Sequence, residues 1–298
     1  MTDYTFEGYR DYIEEHITDF IPDVDHKSIT LYESMKYSIM AGGKRIRPVL
    51  LLAACDFCGG KIEDALPYAC ALEYIHTYSL IHDDLPFMDD DDLRRGIPTN
   101  HKVYGEATAT LAGDGLLNTA FETMYADILY YLDDMDAMKR RIRAAYEIAK
   151  GAGIRGMIAG QIADMESENH VGSEEMLCYV HRNKTAALLV AAVRAGAMIG
   201  GADTEMLTNL TEYAESLGLA FQICDDILDV EGNEEMMGKK TGMDSDRGKL
   251  TYPSIFGLDE SKEKLKELTE SALDAIGVYY DNAEVFSKLA KDLAVRGN

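Results

Sequence analysis

Six prolines occur in this 298-residue chain, at positions 22, 48, 67, 86, 98 and 253, and none falls between residues 99 and 252. Proline removes a backbone donor and clashes with the preceding helical turn, so its absence leaves helix open across more than half the chain. That stretch is rich in Ala, Leu, Met and Glu, which lose little side-chain freedom in a helix. In 211–229, Tyr213, Leu217, Phe221, Cys224 and Leu228 recur at steps of four or three and form one buried stripe. Similar periodicity predicts helices near 62–83, 107–131, 137–150 and 174–200. Alternating strand patterns are scarce, and TYPSIF (251–256) is the best short strand candidate. Loops are expected at 23–28, 88–101, 166–173 and 231–249. No Pro/Gly/Ser linker divides the chain, so the expectation is one large all-α domain over 1–298, a bundle of roughly ten or more helices. Gly156 and Gly160, four apart, allow two helices to approach closely.

Charge narrows the function. Acids number 53 and bases 29, a net charge of −24. A surface this acidic repels nucleic acid and anionic lipid, so neither is expected as a partner. The longest apolar run, 186–202, is broken by Arg194 and too short to span a bilayer. The opening residues MTDYTFEGYR carry neither a basic region nor an apolar core of a leader. These features predict a cytoplasmic protein without stable membrane insertion. Five cysteines do not form a disulfide framework, and Cys55 and Cys58 are expected as small residues on a helix.

Two acidic clusters stand out. IHDDLPFMDDDDLRRG (81–96) places Asp83 and Asp84 at a helix end and Asp89 beyond the bend at Pro86; FQICDDILD (221–229) holds Asp225, Asp226 and Asp229. At about 100° per residue, Gln222 and these last three acids share one face. Three acids near a helix C-terminus oppose its dipole, so a nearby cation is expected. Facing carboxylate sets suit hard divalent cations, above all magnesium held jointly with phosphate oxygens. For Asp90, Asp91 and Asp92 a solvated loop is as good a reading. Against the acidic background, bases gather in GGKRIRP (42–48), Arg94–Arg95, Lys184 with Thr185, and Lys239, Lys240 and Lys249. Interleaved with two acidic clusters, they fit a site for more than one polyanionic head group.

GGKRIRP, the aspartate-rich run, NKT, FQICDDILD, GKKTG and KLTYP, in this order over 42 to about 257, resemble the short-chain trans-prenyltransferases, or polyprenyl diphosphate synthases. The likeness is closest to bacterial farnesyl and plant-type geranylgeranyl diphosphate synthases. The resemblance implies a helical bundle around a deep central cavity, usually as a homodimer, using about three magnesium ions. It implies metal binding by Asp83, Asp84 and Asp89 and by Asp225, Asp226 and Asp229. It implies that Lys44, Arg47, His76 and Arg95 hold isopentenyl diphosphate. Arg94, Lys184 and Lys249, with Lys239 beside them, would hold the allylic diphosphate (dimethylallyl or geranyl), and Lys184, Thr185 and Gln222 would serve the reacting centre. Lys240 doubles the lysine of GKKTG, leaving open which of the pair faces the site. Tyr78 and Ser79, about one turn before Asp83, would set product length, a large side chain there matching the farnesyl-forming type. Geranylgeranyl diphosphate is the alternative product. A terpene cyclase or a non-catalytic subunit is a more distant alternative, disfavoured by the intact GGKRIRP and by both complete acidic clusters.

Overall fold

The computed structural model describes residues 4–167, 173–232, 249–279 and 283–296. The described chain is almost wholly helical. In order it forms α1 (Phe6–His16), α2 (Ile29–Ile39), α3 (Ile46–Phe57), α4 (Ile62–Asp83), α5 (Asn100–Tyr104), α6 (Glu106–Tyr130), α7 (Met135–Ala152) and α8 (Met157–Ser167). After the gap come α9 (Glu174–Val180), a π-helical turn (His181–Ala186), α10 (Ala187–Gly200), α11 (Thr204–Glu231), α12 (Tyr252–Phe256), α13 (Leu258–Ile276) and α14 (Glu284–Arg296). The extended structure is one two-stranded antiparallel hairpin, Leu93–Arg94 with Ile97–Pro98, inside the expected loop 88–101.

The longer helices match the hydrophobic periodicity, because stripes at steps of three and four can be buried only as helix. α4 is the innermost element: Tyr68, Ala69, Cys70, Ala71, Leu72, Tyr74 and Ile75 are all fully buried. It packs against α3 and α6, while α11 lies between α10 and α13. The apolar run of 186–202 is α10, and its small residues explain its burial. A Cβ on Gly196 would come within 2.0 Å of the Leu51 carbonyl oxygen, and one on Gly200 within 2.4 Å of that of Cys55. α10 and α3 therefore meet backbone to backbone. No described helix is long and apolar enough to cross a membrane. Cys55 is buried within α3, and Cys58 caps its end half-buried.

TYPSIF is helix rather than strand. The Thr251 side chain accepts from Ser254 N–H, the Ser254 hydroxyl accepts from Thr251 N–H, and Pro253 sits in the first turn. This reciprocal cap fixes a helix start, whereas the apolar alternation of so short a segment carries no directional preference.

Candidate active site

The site is built where α4 ends. Asp83 closes the helix and Asp84 caps it. The chain then bends through Pro86, and the Asp89 N–H returns to the Asp83 carbonyl at 2.8 Å. Two acids six apart in sequence are thereby brought to one turn. Burial, followed by the opposing pull of Lys184 and the push of Asp89, leaves the Asp83 carboxyl raised to about 6. Asp84 is almost fully buried and also raised by burial, although Arg94 opposes the rise by donating from Nε at 2.9 Å and from Nη2. Arg94 reaches Asp91 as well, at 3.2 Å. Asp90 and Asp92 are exposed and face Lys102 at 3.8 and 2.8 Å, so the middle of the aspartate run belongs to the surface.

GGKRIRP forms the loop before α3. Gly42 and Gly43 have φ of +80° and +135°, and Arg45 has φ of 50°. A Cβ on Gly43 would lie 2.6 Å from the Arg95 guanidinium, so only glycine lets the loop drape over that side chain. Arg95 donates to the Gly42 carbonyl and stands 3.9 Å from Glu73. Arg45 turns inward instead: fully buried, it bonds Glu73 at 2.6 Å, Glu14 at 2.8 Å and the Ile39 carbonyl at 2.6 Å. Lys44 between them is exposed. Arg47 approaches the His76 Nε2 at 3.5 Å, and its own Nε is buried without a hydrogen-bond partner. Burial, then the cations Arg47 and Arg95, hold His76 well below the usual imidazole range, so it is neutral. Asp225 of α11 acts on Arg47 electrostatically, which brings the second acidic cluster to the same place.

The π-helical turn closes the other side. Lys184 donates to Asp164 of α8 at 2.5 Å and feels Asp83 at the end of α4 and Asp89 in the bend after it. Thr185 donates to Gln222 at 2.7 Å, and Gln222 donates to Asp226 at 2.9 Å. The second oxygen of Asp226 accepts from Tyr252 N–H at 2.8 Å and lies 3.4 Å from His181. Asp226 is thus buried and committed to holding α11, the π turn and α12 together. A π turn is wider than an α turn and recurs at functional sites, where it re-aims side chains. Pairwise links therefore run from Asp83 and Asp89 to Lys184, from Thr185 to Gln222, and from Asp225 to Arg47 and on to His76. Asp229 is buried and Lys249 half-buried. Lys239 and Lys240 lie outside the described residues.

Three residues of this site carry no motif signal in the sequence. Asp164 is a lone acid in GQIADM, four after Gly160, whose spacing did flag a close approach. Glu73 and Glu14, which neutralise Arg45, sit on α4 and α1 away from both acidic clusters and show themselves only once the helices pack.

Hard oxygen donors beside a neutral imidazole and several cations suit a divalent cation such as magnesium. Among the described residues, no three His, Cys, Asp or Glu side chains already converge into a metal cage. Magnesium usually keeps several waters and is shared between one or two carboxylates and substrate phosphates. Burial holds the Asp83 carboxyl up even though the pull of Lys184 exceeds the push of Asp89, and an added cation would favour its charged form.

The chain belongs to the polyprenyl synthetase family, whose profile matches residues 28–280. It is 53% identical over 242 residues to a farnesyl diphosphate synthase of Geobacillus stearothermophilus, covering 81% of this chain and 80% of that one. It is 47% identical over 275 residues to the heterodimeric geranylgeranyl pyrophosphate synthase large subunit 1, chloroplastic, of Arabidopsis thaliana, covering 91% and 73%. The crystal structure of an FPP/GFPP synthase from Zymomonas mobilis superposes with a TM-score of 0.85 at 32% identity, covering 97% of each chain.

Proposed function

We propose that this chain, acting as one helical domain over 1–298, condenses isopentenyl diphosphate with dimethylallyl or geranyl diphosphate and releases mainly farnesyl diphosphate. The observation that supports the reading is the set of links between the two acidic clusters and the cations: Lys184 acts with Asp83 and Asp89, Asp225 acts on Arg47, and Arg47 approaches His76. Asp83 at the end of α4 and Asp89 in the bend after it would hold magnesium, with Asp84 in support through Arg94. Asp225, supported by Asp229, would hold it from α11, and the reading takes three ions in all. Magnesium, when bound, supplies positive charge to the diphosphate that leaves.

The side chains divide the remaining work. Arg94, Lys184, Lys239 and Lys249 orient the allylic diphosphate and stabilise its charge as the carbon–oxygen bond breaks. Lys44, Arg47, His76 and Arg95 hold isopentenyl diphosphate, so that its double bond attacks the allylic cation. Neutral His76 is a hydrogen-bonding partner rather than a further charge. Thr185 and Gln222 fix each other at the reacting carbons, and Asp226 fixes Gln222. A proton is then lost from the adduct; no protein base is required, since the released diphosphate can accept it.

Tyr78 supports the farnesyl product. It lies on α4 about 7–8 Å before Asp83 at about 1.5 Å per residue, and it is 6% exposed. Its ring meets His82 edge-on at 5.6 Å. Burial, followed by the Asp83 charge, pushes its hydroxyl up to about 12, so it stays an uncharged floor. Ser79 bonds back to the His76 carbonyl at 2.8 Å, which turns its hydroxyl from the chain path. Relatives named for geranylgeranyl synthesis make C20 the second reading. A homodimer is proposed as the working form.

The test is direct. Purified protein, magnesium, isopentenyl diphosphate and labelled dimethylallyl or geranyl diphosphate should give a C15 product. A C20 product selects the second reading; cyclic hydrocarbon, or no turnover with either primer, overturns both.

A further inference from the structure

α8 touches Lys184 at two places. Gly160 meets its backbone: a Cβ there would fall 2.0 Å from the Lys184 nitrogen and 2.5 Å from its Cα. One helical turn later, Asp164 takes its ammonium at 2.5 Å. Residues four apart share one face of a helix, so a single face grips both ends of one long side chain. Asp164 is 7% exposed, and its own carbonyl accepts the Ser167 hydroxyl at 2.7 Å, which ties down the last turn of α8.

A free lysine side chain has rotamer entropy to lose when it binds a phosphate. Lys184 has lost much of it beforehand. Its ammonium carries three donors, and Asp164 engages one from the side of α8. Asp83, at the end of α4, and Asp89, beyond it, act on the same ammonium electrostatically. An ion pair serving the fold alone would not need its cation shared with the acids of the opposite wall.

We propose that Asp164 is a positioning residue: through Lys184 it aims one ammonium at the allylic diphosphate and so tunes affinity for that substrate, without touching it. The inference rests on the functional reading above, and its test separates the two. Asp164→Asn keeps the side-chain shape and an acceptor while removing the charge; Asp164→Glu keeps the charge.

Two readouts are compared with wild type: calorimetric binding of inorganic diphosphate with magnesium, and KM for each substrate. The expected result for Asp164→Asn is binding weaker by about tenfold and an allylic KM raised by a similar factor. The isopentenyl diphosphate KM should stay within about twofold, and Asp164→Glu should recover part of the loss. Combined with Lys184→Ala, the Asn substitution should add nothing further, because the two act as one unit. Unchanged diphosphate affinity in Asp164→Asn overturns the proposal, whatever happens to melting temperature. So does a loss that multiplies with that of Lys184→Ala. If wild type elongates no primer, the functional reading falls, and the diphosphate titration still decides the role of Asp164.

Discussion

The Cα of Gly160 rests against the backbone of Lys184 so closely that a methyl group there would fall 2.0 Å from the Lys184 nitrogen. Neither backbone can yield without moving a helix. Gly160→Ala should therefore push α8 from the π turn and carry Lys184 and Thr185 with it. Overpacking of this kind costs about 1–3 kcal/mol. Condensation should fall by more than about tenfold, since small misplacements of catalytic groups are costly. Thermal melts with turnover assays check this; an active Gly160→Ala enzyme would contradict the close contact.

Asp83 is expected to limit stability while enabling activity. Its carboxyl is raised to about 6 in the fold against an ordinary 3.8. Between those values the folded chain keeps a proton that the unfolded chain has released. Stability from this group therefore falls as pH rises from about 4 to 6 and stays reduced at pH 7. Asp83→Asn should be more stable at pH 7 by about 1–2 kcal/mol, flatter across that window, and inactive. Denaturant titrations at pH 4.5 and pH 7 without metal test it; a variant less stable at pH 7 contradicts it.

The buried pair Arg45–Glu73 is a structural anchor with no metal or diphosphate to bind. Glu73→Ala leaves a guanidinium that is almost wholly enclosed, with the half-exposed Glu14 as its only remaining carboxylate beside the Ile39 carbonyl. Removing one partner of such a pair costs about 3–5 kcal/mol. Urea unfolding of Glu73→Ala should display that loss, and Arg95, 3.9 Å from Glu73, should lose isopentenyl diphosphate affinity as well.

Tyr78→Ala should shift the product from C15 toward C20 and longer. The substitution opens space beside α4 and leaves Asp83 and Asp89 in place, so turnover with geranyl diphosphate should persist. Chromatography of the dephosphorylated products decides; an unchanged C15 distribution would remove Tyr78 as the floor.

Lys44→Ala should raise the KM for isopentenyl diphosphate by about tenfold and leave the melting temperature within a degree or so, because an exposed lysine contributes little to the fold. Asp225→Ala should instead abolish turnover. Steady-state kinetics on both variants separate a binding role from a metal-holding one.

The helices were legible because their periodicity reflects burial: α4 spans Ile62–Asp83, the expected 62–83. The acidic clusters were legible because charge so dense needs a reason in any fold. The short segment 251–256 misled because its apolar alternation is too brief to outweigh the Thr251–Ser254 cap. Asp226 and Asp229 belong to one acidic motif, yet nothing in the spacing tells that Asp226 is occupied by Gln222, Tyr252 and His181. Arg45, two residues from Arg47 in one basic run, likewise points inward for reasons that lie in Glu14 and Glu73. Pairings across elements leave no periodic trace, and they decide which member of a motif faces the substrate.

The inward lock of Arg45 has a consequence for how a substrate is caught. Lys44 is tethered on one side by a guanidinium gripped by two carboxylates and a carbonyl, and on the other by Gly43 lying over Arg95. The peptide on either side is moored, and only the four-carbon stem of the lysine is at liberty to sweep. Capture at this edge is angling with a short rod from a fixed pier: reach is set by side-chain length, which Lys44→Arg would extend and Lys44→Ala would cut off.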